Sequence, residues 1–429
     1  MISLSRLLTR RKPRPRMRRR LRFEPLEPRL PLSTFYVDPN GDDAALGTED
    51  APWQTLQRAA DAVAPGDTVV VRAGEYAGFN LTTSGTPDQP ITFQADPGVV
   101  IDGPNSWNGL DGINLEGASY AVIDGFTVIG MPRAGIRSVL NQGVTIRNNI
   151  TDENGVWGIF TGWSEDVTIE HNVASRSVTE HGIYVSNSAD NPVIRSNIVW
   201  GNYASGIQIN ADASAVWDGQ DNDGIITGAL VEGNIIYDNG WGGGAALNND
   251  GVQDSVFRNN LLYGNHASGI VLYAADGADG SKNNLVVNNT IVNADDGRWA
   301  VYIQSGSTGN TLLNNVLYSG HWYRGSIDIG PDSLPGFTSD YNVVMDRFTL
   351  DDGDSRLSLA DWQAATGQDE HSIMATPDEL FVDPWSGDYH LAAASPAIDA
   401  GTSFDAPDVD LEGRPRADGA GWDIGAYES

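Results

Sequence analysis

Glu180 and His181 stand directly before the run GIYVSN, which begins at Gly182 and carries Tyr184. A His and a Tyr flanking one bound substrate can act as base and acid in turn. They are three residues apart, so extended backbone holds their Cα atoms about 10 Å from each other unless Gly182 bends the chain. A hydrogen-bonded turn histidine is the competing reading of His181. Arg298 and Arg324 occupy equivalent strand-entrance positions farther along, where a guanidinium can pair with a carboxylate. Asp218, Asp221 and Asp223, in DGQDND, are spaced so that three carboxylates can converge on a hard cation such as Ca2+. The full EF-hand pattern is absent, and a plain Asx-turn loop is the alternative.

These groups match the needs of β-elimination from a uronic acid polymer, which requires neutralisation of the substrate carboxylate, a base for the C5 proton and an acid for the departing O4. Calcium on the Asp loop, or Arg298, serves the first need, and Glu180, His181 and Tyr184 are the candidates for the proton transfers. An epimerase begins with the same proton abstraction. Inverting hydrolysis by two loop carboxylates spaced to admit a water is the second enzymatic reading. A noncatalytic surface protein that binds carbohydrate or mediates adhesion is the alternative from a different class, and the 12 Trp and 14 Tyr suit it equally.

The elements that must position these residues repeat. Lines reading apolar, variable, apolar, two polar residues, Asn, apolar recur with Asn149, Asn172, Asn197, Asn234, Asn260, Asn289 and Asn315 in common, at spacings of 23, 25, 37, 26, 29 and 26 residues. About ten residues beyond most of them comes a second alternating line, such as GIYV from Gly182, GIQI from Gly206 and GIVL from Gly269. Short strands joined by Gly, Asn and Asp turns, with no helical pattern between them, predict one coil per period. The fold class is therefore all-β: a single-stranded right-handed parallel β-helix of about ten coils, with an N-terminal capping helix and an irregular C-terminal cap.

Stacked coils align the seven Asn in a column whose amides bond one another. Arg147, Glu170, Arg195, Glu232 and Arg258 form a charge ladder of alternating sign on a solvated face. Alternation in the GI strands turns Ile183, Val185, Ile207, Ile209, Ile270 and Leu272 inward. One outward lane then reads Phe160, Tyr184, Gln208, Ala246, Val271, Tyr302 and Asp328. The adjoining lane reads Ser186, Asn210, Asn248, Tyr273 and Gln304. Rings beside amides suit sugar faces and hydroxyls, so Gln208, Asn210, Asn248, Tyr273 and Tyr302 are the candidate substrate-binding residues. The 37-residue period contains an insertion at 211–228, beside Gln208 and Asn210, and long loops on regular scaffolds concentrate function.

Composition narrows the partners. No Cys excludes disulfides and thiolate chemistry, and no apolar run reaches the roughly 18 residues of a membrane span. Residues 1–30 hold 11 of the 26 Lys and Arg, which leaves the remainder with 15 bases against 55 acids, a net of −40 that repels nucleic acid. An acidic or cell-wall polysaccharide, a monomeric state and an extracellular, cell-surface or periplasmic location are the expectations. Trp53, Leu56, Ala59, Ala60 and Val63 fall at helical spacing ahead of a first coil strand at 67–73, and Ser358 and Gly367 bracket a second short helix. The divisions are 1–33, a basic targeting leader; 34–345, the β-helix with its N-terminal cap; and 346–429, a C-terminal capping extension.

FYVDPNGDDAALGTEDAPWQTLQRAADAVAPGDTVVVRAGEY (35–76) and GTPDQPITFQADPGVVIDG (85–103) resemble the opening of right-handed parallel β-helix proteins that include the family-9 pectate lyases. The ending DLEGRPRADGAGWDIGAYE (410–428) is similar to the C-terminal segment of exported bacterial β-helix proteins, and FEPLEPRLPLS (23–33) resembles the LEPR-type export motif of planctomycete-like bacteria. The resemblance implies a polysaccharide-active β-helix. It implies for the family a calcium held by clustered Asp and a Lys that removes the C5 proton. This chain departs there, having only Lys12 and Lys282, and it lacks both the NTD, DD, GHG and RIK set of polygalacturonases and the DPHE of alginate epimerases. One such fold hosts many chemistries, so the site must be argued from its own residues.

Overall fold

A computed structural model describes residues 33–215, 223–416 and 419–429. Among the described residues three parallel sheets of twelve, twelve and eleven strands run along one axis, and the chain visits them in turn once per coil. The first sheet begins with Thr34–Val37, paired in parallel with Thr68–Val71, so a strand precedes the one at 67–73. It ends at Thr338–Asp340. The second sheet runs from Gly74–Ala77 to Ile373–Met374, and the third from Phe79–Leu81 to Phe348–Thr349.

The turn from first to second sheet explains the repeated motif. The residue before each ladder Asn adopts a left-handed backbone: Asn148 (φ 56), His171 (φ 56), Ser196 (φ 53), Gly233 (φ 64), Asn259 (φ 54) and Asn288 (φ 53). Asn and Gly tolerate that conformation best, which is why NN and GN recur. The following Asn is buried, and its Oδ1 accepts both the backbone N–H and the side-chain amide of the Asn one coil earlier. Its own amide also donates to a first-sheet carbonyl. The column runs through all seven expected residues and continues to Asn342.

A second column, not anticipated, stands five residues downstream at the turn into the third sheet. Asn202 bonds Asn239 at 2.8 Å, and Asn239 bonds Asn265 at 3.1 Å. Ile183, Val185, Ile207, Ile209, Ile270 and Leu272 are fully buried, as alternation requires. On the solvated face the charge ladder resolves into pairs: Arg147 with Asp124 (2.9 Å), Arg195 with Glu170 (2.7 Å) and Arg258 with Glu232 (2.7 Å). Each is partly exposed and contributes little to stability.

At one end the helix Leu56–Ala60, capped by the Thr55 side chain, buries Leu56, Ala59 and Ala60 against the first coil. At the other, Ser358 caps Leu359–Thr366, Gly367 closes it at φ 69, and Trp362 stacks on Phe348 at 4.9 Å. The remaining tail does not simply cap the end. Leu380, Phe381, Tyr389, Ala397, Ile424 and Tyr427 join a second apolar cluster with Leu261, Val292, Val316 and Val343 of the second sheet. The side-chain amides of Asn259, Asn288 and Asn314, the left-handed turn residues, donate to tail carbonyls.

Candidate active site

The outward face of the third sheet carries most of the candidate residues. Its main lane reads Phe160, Tyr184, Gln208, Asn248, Val271, Tyr302, Asp328 and Thr349 by strand register. Asn248 thus replaces Ala246 in this lane, and Asp250 takes the place expected of Asn248 beside Asn210 and Tyr273. The two-residue slip arises because Ala245–Asp250 buries Leu247 and Asn249 rather than continuing the simple apolar alternation. Asn249 fits inside because its amide donates to the Val271 carbonyl at 2.9 Å.

Glu180, His181 and Tyr184 do assemble, with Trp157. The Trp157 indole donates to Glu180 Oε2 at 2.7 Å, and the His181 and Tyr184 rings meet edge-on with centroids 5.1 Å apart. Burial lowers the His181 pKa to about 4, so the ring is neutral near pH 7. Its Nδ1 accepts the Ser205 backbone N–H at 3.1 Å, which assigns the proton to Nε2. The ring therefore presents an N–H outward, with Glu180 Oε2 3.8 Å from it. Next along the lane, Gln208 Oε1 accepts from Asn248 (2.7 Å) and Ser205 (3.1 Å), and the Gln208 amide donates to Asn210. The Asn248 amide also approaches the Tyr273 hydroxyl at 3.4 Å. Burial raises the Tyr273 pKa to about 12, keeping that hydroxyl protonated.

Arg298 lies elsewhere. It precedes the Val301–Ile303 strand, four strand steps and about 19 Å along the axis from Tyr184. There it lines a cavity of about 450 Å³ with Asn248, Tyr273, Tyr302, Arg324 and Asp328. Asp328, at the floor, is 1% exposed; burial and then the Asp352 carboxylate raise its pKa to about 7, although Gln304 donates to it at 3.1 Å. Tyr302 donates its hydroxyl to Asp352 Oδ1 at 3.0 Å. Burial, and then the neighbouring Arg298, lower the Arg324 pKa. Neither guanidinium has a carboxylate within ion-pair distance among the described residues, whereas the arginines of the ladder all do. Sequence alone pointed to Arg298, Arg324, Tyr302 and Asp328 separately; their convergence follows from the shared lane. Asp352 carried no signal, because it enters from the segment beyond the last third-sheet strand.

In the Asp loop, Asp218 and Asp221 lie outside the described residues. Asp223 is exposed and accepts the Ile225 N–H at 2.9 Å. Among the described residues no group of three or more His, Asp or Glu is arranged to hold a metal. Lys282 is bonded to Asp279 at 2.5 Å. The described residues thus do not fit the calcium-and-lysine pair that the resemblance implies.

A right-handed β-helix with its candidate groups on one outer sheet defines a class, and the family follows: the chain belongs to the family described as Pel9A-like, right handed beta helix region, whose model matches residues 35–308. It is 25% identical to the uncharacterized protein YwoF of Bacillus subtilis (strain 168), over 85% of this chain and 92% of that one. It is 40% identical to pectate lyase PEL9 of Emericella nidulans across 86 residues, 19% of this chain and 21% of that protein. In fold it is similar to pectate lyase Pel9A (TM-score 0.62, 16% identity, 92% of this chain and 96% of that one). It is also similar to XylC in complex with xylose (0.52, 11%, 92% and 98%) and to the A-module of the Azotobacter vinelandii mannuronan C-5 epimerase AlgE6 (0.51, 17%, 75% and 93%). No helix among the described residues is long and apolar enough to cross a membrane.

Proposed function

We propose that the chain is an exported enzyme that acts on an acidic, uronate-containing polysaccharide at the Arg298–Asp328 cavity, by β-elimination. The observation that carries this reading is the pair Arg298 and Arg324: two guanidiniums with no carboxylate within ion-pair distance among the described residues, in an otherwise strongly acidic protein, are suited to a substrate carboxylate. Bound there, the uronate carboxylate loses its opposing charge, and its C5 proton becomes more acidic. Ionised Asp328 takes that proton, C4 and C5 form a double bond, and the C4–O4 bond breaks. The Tyr302 hydroxyl, oriented by Asp352, supplies the proton to O4. Return of the C5 proton to the opposite face would give epimerisation from the same site.

The direct test is incubation with pectate, alginate and a glycosaminoglycan, following the ultraviolet absorbance of unsaturated products and, in heavy water, exchange at C5. Product or exchange that disappears in Asp328→Asn and Arg298→Gln supports the reading. Tight binding with neither product nor exchange overturns it in favour of a noncatalytic binding protein, for which the exposed Trp241 (61%) and Trp322 (77%) at the strand-entrance rim are the supporting observation. A calcium requirement would belong to the 211–228 loop: Asp218→Asn with Asp221→Asn would then abolish the response to chelator without altering oligouronide binding. Export is tested by fractionating cells for full-length and processed chain.

A further inference from the structure

The third sheet ends at Phe348–Thr349, and the chain then doubles back over its outer face. Residues 349–356 form a tight knob. The Asp351 carboxylate accepts from the Thr349 hydroxyl (2.7 Å), the Ser355 N–H (2.9 Å) and the Ser355 hydroxyl (2.6 Å), and the Gly353 N–H donates to Thr349 Oγ1 at 3.2 Å. Outside contacts pin it to the sheet face and rim. Asp352 holds the Tyr302 hydroxyl two strands earlier, Tyr323 donates to the Gly353 carbonyl at 2.8 Å, and Arg356 lies over the Tyr323 ring at 4.5 Å. A Cβ built on Gly353 would stand 4.0 Å from Asp328 Oδ2, so the knob passes directly above the floor of the cavity.

A groove on one face of a solenoid is ordinarily open along the axis. Here Asp352 and Gly353 form the wall of the cavity on the side toward the last coil, beside Arg298, Arg324 and Asp328. On the other side the lane continues past Val271 to Asn248 and Gln208. A polymer lying along the lane meets the knob at the pair of guanidiniums and cannot pass through.

We infer that the site seats the end of an acidic polysaccharide chain, with the terminal uronate against the knob and the chain extending toward Gln208, so that the protein works at chain ends. This rests on the function proposed above. The test is a binding titration of the full protein with size-fractionated polyuronates of increasing length, together with oligouronides blocked at one end, at the other, or at both. The expected result is one protein bound per chain at every length, with at least tenfold weaker binding when the seated end is blocked. Stoichiometry that rises with length, affinity indifferent to blocking, or no binding to any polyuronate overturns the inference. Replacing Asp352–Asp354 by a single Gly should make stoichiometry length-dependent; if that variant does not fold, the titration of the unaltered protein still decides. End-specific binding without product formation would leave chain-end recognition standing while removing the lyase reading.

Discussion

A single carboxamide oxygen ties one coil to the next by two bonds: Asn234 Oδ1 accepts the backbone N–H and the side-chain amide of Asn197, each at 3.0 Å. Its amide then donates to Asn260 and to the Ile194 carbonyl. Asn234→Leu fills similar volume but leaves these buried groups without partners. The expected loss is about 1–3 kcal/mol, measured by denaturant unfolding. Asn148→Ala, at an exposed position one residue before a column member, tests instead the left-handed backbone together with the Asn148–Asp124 hydrogen bond and should cost about 1 kcal/mol.

Asp328 sets a pH dependence for both activity and stability. As the base it must be ionised, so turnover should rise with pH through about 7, and Asp328→Asn should be inactive throughout. For stability the sign is opposite. A carboxyl whose pKa is raised on folding stabilises the folded state below its unfolded value near 3.8, and this contribution is lost as pH rises through about 7. Melting curves at about pH 5 and about pH 8 should show the unaltered protein losing ground to Asp328→Asn at the higher pH.

Arg298→Gln and Arg324→Gln should each weaken binding of oligouronides at least tenfold while leaving binding of neutral oligosaccharides of equal length unchanged. Calorimetric titration separates the two. Arg298→Lys should recover only part of the affinity, because an ammonium cannot grip a carboxylate with two parallel N–H bonds.

The tail contains a buried ion pair, Arg416 with Glu428 at 3.0 Å, both side chains at or near zero exposure. Burial lowers the Arg416 pKa, and Glu428 opposes that shift. Glu428→Ala removes the carboxylate hydrogen-bonded to the Arg416 charge, leaving Asp410 and Asp423 to offset it in part, and should destabilise the protein by about 1.5–3 kcal/mol, readable in chemical denaturation. Changing Arg416 to Met in the same chain should restore part of the loss.

The coil repeat was legible because left-handed turns and buried amides demand the same residue types at every period. Asn154, Asn202, Asn239 and Asn265, five residues beyond Asn149, Asn197, Asn234 and Asn260, carry a weaker signal, because Ser177, Ala294 and Gly320 break it at the equivalent positions of the other coils. The slip at Ala245–Asp250 was hidden by Gly242, Gly243 and Gly244, which erase the alternation that fixes register, and by an Asn facing inward. Tyr184 and Asp328 were placed on the correct face, but lane membership alone does not say how far apart residues stand. The tail reads as irregular because its apolar residues meet the flank of the stack rather than each other in any period.

The tail also alters how the stack comes apart. In a simple solenoid each coil touches only its neighbours, so opening spreads one coil at a time. Here Asn259, Asn288 and Asn314, on three successive coils, are tied to one peripheral segment through Val409, Asp423 and Thr402. Those coils must open together or first release the tail, whereas coils near Ile146 and Ile169 can open singly. Amide hydrogen exchange should therefore show one uniform protection level across the tied coils and a graded one toward the N-terminal side.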